Sequence, residues 1–212
     1  MQKILKMKNN LIFTCLLSCL TLAGFSQLDL KPAVGFNFAR FDSDPVMAAN
    51  SDSLVANGKA GYQFGASLAI GRKLYVEPGV FYTKRIQNFN PTDVEKEEFV
   101  YSASYIRIPV NFGFQFIGTT TSLAGLKIYL GPSMFIPVGI KENEYPIASK
   151  DVTSPQFDIS VGAGLNIWLL FLDVSYGWDL TAQFVDDPIE AKMQALYMNL
   201  GFRFKLKSDE EY

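Results

Sequence analysis

From Leu196 to Leu206 the chain alternates without a fault. Leu196, Met198, Leu200, Phe202, Phe204 and Leu206 hold one set of positions, and Tyr197, Asn199, Gly201, Arg203 and Lys205 hold the other. Successive side chains point to opposite faces in a β-strand, so this stretch is a strand whose two faces meet different surroundings. Seven further segments follow the rule. Their large residues are Leu30, Val34, Phe36 and Phe38; Tyr62, Phe64, Leu68 and Ile70; Leu74, Val76, Val80 and Tyr82; and Ile106, Ile108, Val110, Phe112, Phe114 and Phe116. Then come Leu126, Ile128, Leu130, Met134 and Ile136; Phe157, Ile159, Val161, Leu165 and Ile167; and Leu172, Val174, Tyr176, Trp178 and Leu180. No 3.6-residue pattern interrupts them.

Alternation does not say which face points outward; volume does. The interior of an eight-stranded barrel is just wide enough to be filled with side chains. It cannot take the large apolar residues of eight strands while Gly61, Gly65, Ser67, Ser160, Gly162, Gly164 and Asn166 line the outside. The large residues therefore face out, and lipid is the solvent that accepts them. No charge falls on these apolar faces, in keeping with a cost of about 2–4 kcal/mol for Arg or Lys at the bilayer midplane. The opposite faces carry Asp29, Lys31, Glu77, Arg85, Arg107, Lys127, Asp158, Asp173, Asp179, Arg203 and Lys205. The expected fold is all-β, an eight-stranded antiparallel up-and-down transmembrane β-barrel over residues 27–206.

The connections expected between these strands alternate in length: 41–58 long, 71–73 short, 86–98 long, 117–123 fairly short, 137–155 long, 168–171 short and 183–194 long. Long outer loops and short periplasmic turns give this alternation, and an even strand count places both termini in the periplasm. Pro78, Pro109 and Pro132 fall inside predicted strands, where a missing donor is expected to mark a bulge.

Ahead of the strands, Lys3, Lys6 and Lys8 precede the apolar run Leu11 to Phe25, which ends in the small residues Gly24 and Ser26. That order predicts a secretory signal peptide over 1–26, since the run is shorter than the roughly 20 residues of a spanning helix. A lipobox-like Leu16-Leu17-Ser18-Cys19 offers a second cleavage, before Cys19. Cleavage after Ser26 removes both cysteines and three of the 19 basic residues. It leaves 16 against 21 acids, a formal charge of −5, and no thiol for disulfides or catalysis. Residues 207–212 form a short periplasmic tail.

At Tyr105-Ile106-Arg107-Ile108-Pro109-Val110, at Tyr129-Leu130-Gly131-Pro132-Ser133, and from Phe157 to Tyr176, the chain resembles the PorT-like outer-membrane β-barrel proteins of Bacteroidetes-type bacteria. The resemblance spans nearly all of the mature chain. It implies the outer membrane and the barrel. Because some PorT proteins take part in the type IX secretion system, it also implies a secretion accessory role as an expectation. Asn199, Gly201, Phe204 and Leu206 match the spacing of the terminal assembly signal read by the barrel assembly machinery, although six residues follow Leu206.

The chain has no histidine. Histidine-assisted serine or cysteine catalysis, used by most lipid-modifying barrels, is excluded. The inward charges Glu77, Arg107, Asp158, Asp173, Asp179 and Arg203 are the candidate site. Charges taken out of water need partners, so they are expected to form a structural network plugging the lumen rather than an ion or substrate path. Asp42, Asp44, Asp52, Asp93, Glu95, Glu97, Glu98, Asp186, Asp187 and Glu190, beside Lys96 and Lys192, make the outer loops acidic, without EF-hand spacing. Trp168, Tyr176, Trp178, Tyr62, Tyr82 and Phe184 suit the membrane interface.

The sequence thus predicts a non-enzymatic scaffold or interaction protein without cofactor or metal. Its partners are outer-membrane lipid, the assembly machinery and a protein at its loops or turns, with no basic groove for nucleic acid. A narrow channel or transport and secretion accessory is the alternative, and a lipid-modifying enzyme the third reading.

Overall fold

The computed structural model describes residues 27–42, 46–47, 52–91, 99–118, 123–140, 152–183 and 192–207. The predicted signal peptide with Cys19, the acids Asp44, Asp93, Glu95, Glu97, Glu98, Asp186, Asp187 and Glu190, residues Lys96 and Phe184, and the tail 208–212 lie outside them.

The chain runs β1 (Leu28–Phe41), β2 (Val46–Met47), β3 (Asp52–Gly71), β4 (Leu74–Pro91), β5 (Phe99–Ile117), β6 (Ala124–Ile140), β7 (Gln156–Ile167), β8 (Leu170–Asp179), β9 (Met193–Phe202) and β10 (Phe204–Lys207). Each long strand pairs antiparallel with its sequence neighbour, and β1 pairs both with β3 and with β9 and β10. That last pairing closes the sheet. β10 continues β9 past a break at Arg203, and β2 is a two-residue ladder on β3, so the barrel has eight strands, as the alternation predicts. Closure satisfies backbone donors and acceptors across lipid without leaving an edge.

The faces divide as expected. Val34, Phe36, Phe64, Val80, Phe112, Leu130, Val161 and Leu200 are exposed on the outside, and the charged parity is buried inside. Lys205 departs from this scheme. It lies exposed, because β10 resumes beyond the last inward layer at Arg203.

Strand lengths also differ from expectation. β3, β4, β5 and β6 run well past the apolar belt at the end bearing the long connections, so much of 52–61, 86–91, 99–105 and 137–140 is ladder rather than loop. Outside the belt the outward face meets polar surroundings, and alternation weakens there while backbone pairing continues. The prolines mark no bulge: Pro78 pairs with Val110 and Pro132 with Ile159 in unbroken register. The ladder skips residues beside each of the three prolines without a change of register, and bulges fall between Leu28 and Asp29, Lys59 and Tyr62, Ser104 and Tyr105, and Gln115 and Ile117.

Nor is the inner face only small and polar. Tyr75, Phe81, Tyr101, Tyr105, Tyr129, Phe135, Phe171 and Tyr197 are buried in it. Glycines opposite make room for them. A Cβ built on Gly113 would fall within the Tyr75 ring, and one on Gly162 within the Tyr129 ring. Gly113→Ala should therefore displace Tyr75 and cost about 1–3 kcal/mol, the usual penalty of overpacking. Urea unfolding of the refolded barrel measures it, and an unchanged midpoint would mean that the ring moves freely.

Candidate functional site

The inward charges are five acids, Asp29, Glu77, Asp158, Asp173 and Asp179, and five bases, Lys31, Arg85, Arg107, Lys127 and Arg203. The lumen is electrically balanced among the described residues. Strand direction stacks these charges in layers, because the inward positions of β1, β4, β6 and β8 climb from the short-turn end while those of β5, β7 and β9 descend.

The layer nearest the short turns holds Asp29 and Arg203, whose Oδ2 and Nε lie 3.9 Å apart; Arg203 Nη2 also donates to the Trp168 carbonyl (3.2 Å). The next layer is a four-member ring. Lys31 Nζ donates to Glu77 Oε1 (2.7 Å) and to Asp173 Oδ2 (3.0 Å). Lys127 Nζ donates to the same Asp173 oxygen (2.9 Å) and lies 3.5 Å from Glu77 Oε2. The Ser67 hydroxyl completes Glu77 (2.6 Å), and the Lys31 ammonium sits 4.1 Å over the centre of the Phe171 ring. Two acids and two bases alternate, each touching both opposites, which offsets the desolvation of all four.

Towards the long-connection end Arg85 grips Asp179 with both terminal nitrogens (2.9 and 3.3 Å) and donates to the Tyr197 hydroxyl (2.6 Å). Its guanidinium lies 4.2 Å over Phe135, and that of Arg107 lies 4.0 Å over Tyr197. Arg107 donates to the Ser133 hydroxyl (3.1 and 3.3 Å). Cation–π contact holds these planar groups where full hydration is lost. Above them Tyr101, Tyr105, Phe135, Val152, Met193 and Tyr197 join an apolar plug with Ala39, Phe41, Ala103 and Ala195.

The ion pairs that hold these residues run to partners outside the six singled out by sequence. Glu77 and Asp173 share one ring, but through Lys31 and Lys127. Asp179 is held by Arg85, and Arg203 by Asp29. Asp158 lies opposite Asp179 in the β7–β8 register and over Gly177, its carboxylate without a hydrogen bond among the described residues. The partners Lys31, Arg85 and Lys127 stand on the charged parity of their strands, and that parity was the signal for them; Tyr197 and Phe135 share it without a charge. In the proposed assembly signal, Gly201 is buried, Phe204 and Leu206 face out, and Asn199 Oδ1 accepts from Gln63 Nε2 (2.5 Å).

Two small cavities lie between the layers, about 10 Å³ beside Asp29, Gln115 and Arg203 and about 30 Å³ beside Arg107, Asn111 and Asn199. Such volumes hold a water molecule or two. A far larger depression, about 450 Å³, lies on the lipid-facing wall between Leu74, Phe114 and Ile128. The class of molecule is then defined: a closed β-barrel with lipid outside and a packed, charge-balanced interior.

The chain belongs to the family described as outer membrane protein beta-barrel domain, whose model matches residues 23–185. It is a protein of the outer membrane. Among solved structures it is similar to the outer membrane protein OprG from Pseudomonas aeruginosa, at 10% identity and a TM-score of 0.52, over 85% of this chain and 96% of that one. Ail, the attachment invasion locus protein of Yersinia pestis, solved with the heparin analogue sucrose octasulfate, matches at 14% identity and a TM-score of 0.45, over 84% and 99%. No curated protein matches.

Proposed function

We propose that this barrel is a non-enzymatic scaffold or interaction protein of the outer membrane, with its lumen closed and its contacts made at its two ends. The observation that carries this reading is the filled interior, in which layers of ion pairs and an aromatic plug occupy the lumen among the described residues, with cavities of about 10 and 30 Å³ between them. The apolar belt fixes depth, the inner charges make the wall rigid, and the acidic outer loops or the periplasmic turns present the contact surface. The orientation with both termini periplasmic, a signal peptide over 1–26, recognition of Asn199, Gly201, Phe204 and Leu206 by the assembly machinery, and the PorT-like affinity belong to the same proposal.

Purified protein in a planar bilayer is expected to show no steady conductance. Stable steps that change with Arg107→Ala would overturn it and favour the second reading, a narrow channel or a transport or secretion accessory, for which the cavity beside Arg107 speaks. Cross-linked outer membranes, with an affinity tag after Leu206, then name the partner. Recovery of secretion-machinery subunits supports a type IX-like accessory role, and turnover of lipid lost on mutating a named acid would revive the enzyme.

A further inference from the structure

Outside the lumen, one side of the barrel carries a row of cations. Lys192, just ahead of β9, and Arg40, Lys59 and Lys84, on β1, β3 and β4, stand at the long-connection end in order around the wall. Pairing fixes their face. Arg40 pairs with Gln194, two residues from Lys192, whose carbonyl carries the ladder on by accepting from the Asp42 N–H (2.9 Å). Phe38 pairs with Ala60, the neighbour of Lys59. Lys59 pairs with Ile86, two residues from Lys84. The bulge between Lys59 and Tyr62 matters here. Without it Lys59 would share the inward face of Gly61 and Gln63; with it, Lys59 turns outward beside Ile86.

The row crosses four strands, about 14 Å at the usual strand spacing. None of the four cations makes an ion pair among the described residues. Lys84 lies 5.9 Å over the Tyr62 ring, and a carboxylate oxygen of Asp42 accepts from the Lys192 backbone N–H (3.0 Å). Like charges side by side on neighbouring strands repel, so the row favours an anion beside it. Among the described residues the other half of the rim has no counterpart. On β5 and β6 the outward residues at this level are Ser104, Ile136 and Val138, and by β7 and β8 they are Phe157 and Leu180. Just below the cations lie Tyr62, Tyr82, Tyr176 and Trp178, rings that settle at the headgroup level of a bilayer.

We propose that Lys192, Arg40, Lys59 and Lys84 form a one-sided docking site for the phosphates of lipid headgroups in the leaflet at the long-connection end. The surrounding solvent supplies the ligand: at this depth the dense anions are lipid phosphates, and a row of cations spaced by strands suits a headgroup carrying more than one of them. The site is independent of whether the lumen conducts.

The test is retention of lipid by the full-length refolded protein in phosphatidylcholine vesicles doped with a bisphosphorylated glycolipid or with its dephosphorylated counterpart, read by native mass spectrometry. The phosphorylated form should be retained in preference, and salt should weaken retention. Each cation replaced by Gln should reduce retention about fivefold, the size of one Lys or Arg's attraction to an anionic surface, so that Arg40→Gln with Lys59→Gln loses about 25-fold. Equal retention of both lipids by the unaltered protein overturns the proposal without recourse to any variant. So does equal retention by the fourfold Gln variant, or displacement by millimolar inorganic phosphate, which would mark free phosphate as the ligand.

Discussion

Glu77→Ala should destabilise the barrel by about 3–5 kcal/mol, the range for breaking a buried ion pair by removing one partner. Both lysines of the ring would then depend on Asp173, which already meets them through a single oxygen at 3.0 and 2.9 Å. One positive charge in that layer would be left without a counterpart in a lumen that is otherwise balanced. Glu77→Gln separates charge from packing: it keeps the volume and a partner for Ser67, and should still lose most of the effect. Replacing the whole ring by Lys31→Met, Glu77→Gln, Lys127→Met and Asp173→Asn should come out near neutral, because desolvation of four ions disappears along with their attraction. Urea unfolding in detergent micelles reads all three variants through Trp168 and Trp178, the two tryptophans of the chain. If Glu77→Ala unfolds at the same urea concentration as the unaltered barrel, the ring contributes nothing and the charges are better seen as hydrated.

The second large effect is expected on the other side of the wall. Leu130 stands near the middle of the belt on β6 and Val138 near its long-connection end, with similar exposure at 55% and 53%. Leu130→Arg should cost about 2–4 kcal/mol and Val138→Arg about 0–1, because the penalty for a cation falls from the bilayer midplane to the interface. Unfolding from phosphatidylcholine vesicles measures both. In a short-chain detergent micelle, whose apolar layer adapts to the protein, the difference should shrink. Equal costs in vesicles would place the belt differently from the position given by the aromatic residues.

Much of the fold was legible because two solvents act on each strand at once. Ile128 stands between Lys127 and Tyr129, and a wall between lipid and a packed lumen accounts for that sequence of three. The upper strand ends were not legible for the converse reason: around Lys59 and Ser104 the outward face no longer meets lipid, and pairing there is held by the backbone. A bulge leaves no mark in such a stretch. In the candidate site the parity of each charge was legible, but not its partner. Lys31 meets Asp173 across the lumen, 142 residues further on, and that meeting depends on the stagger accumulated around the whole wall, which no single strand records. Inward aromatics were hidden by the rule that served best elsewhere. Tyr75 and Tyr129 are large residues on the small-residue face, and they fit because glycines lie opposite on the neighbouring strands.

Closure between β1 and the pair β9 and β10 carries a consequence for how the molecule is made. Ala33 opposite Gly201 and Leu30 opposite Phe204 join the two ends of the barrel, so the contacts most distant in sequence depend on the strand residues synthesised last. A ribosome delivers the amino-terminal strands first, yet β1 has half its backbone partners outstanding until the final strand arrives. Folding as the chain emerges is therefore barred by topology, since an open sheet in lipid would leave unpaired amide groups at both margins. The polypeptide has to travel as an unfolded whole, and the barrel is completed in a single late event that links its beginning to its end.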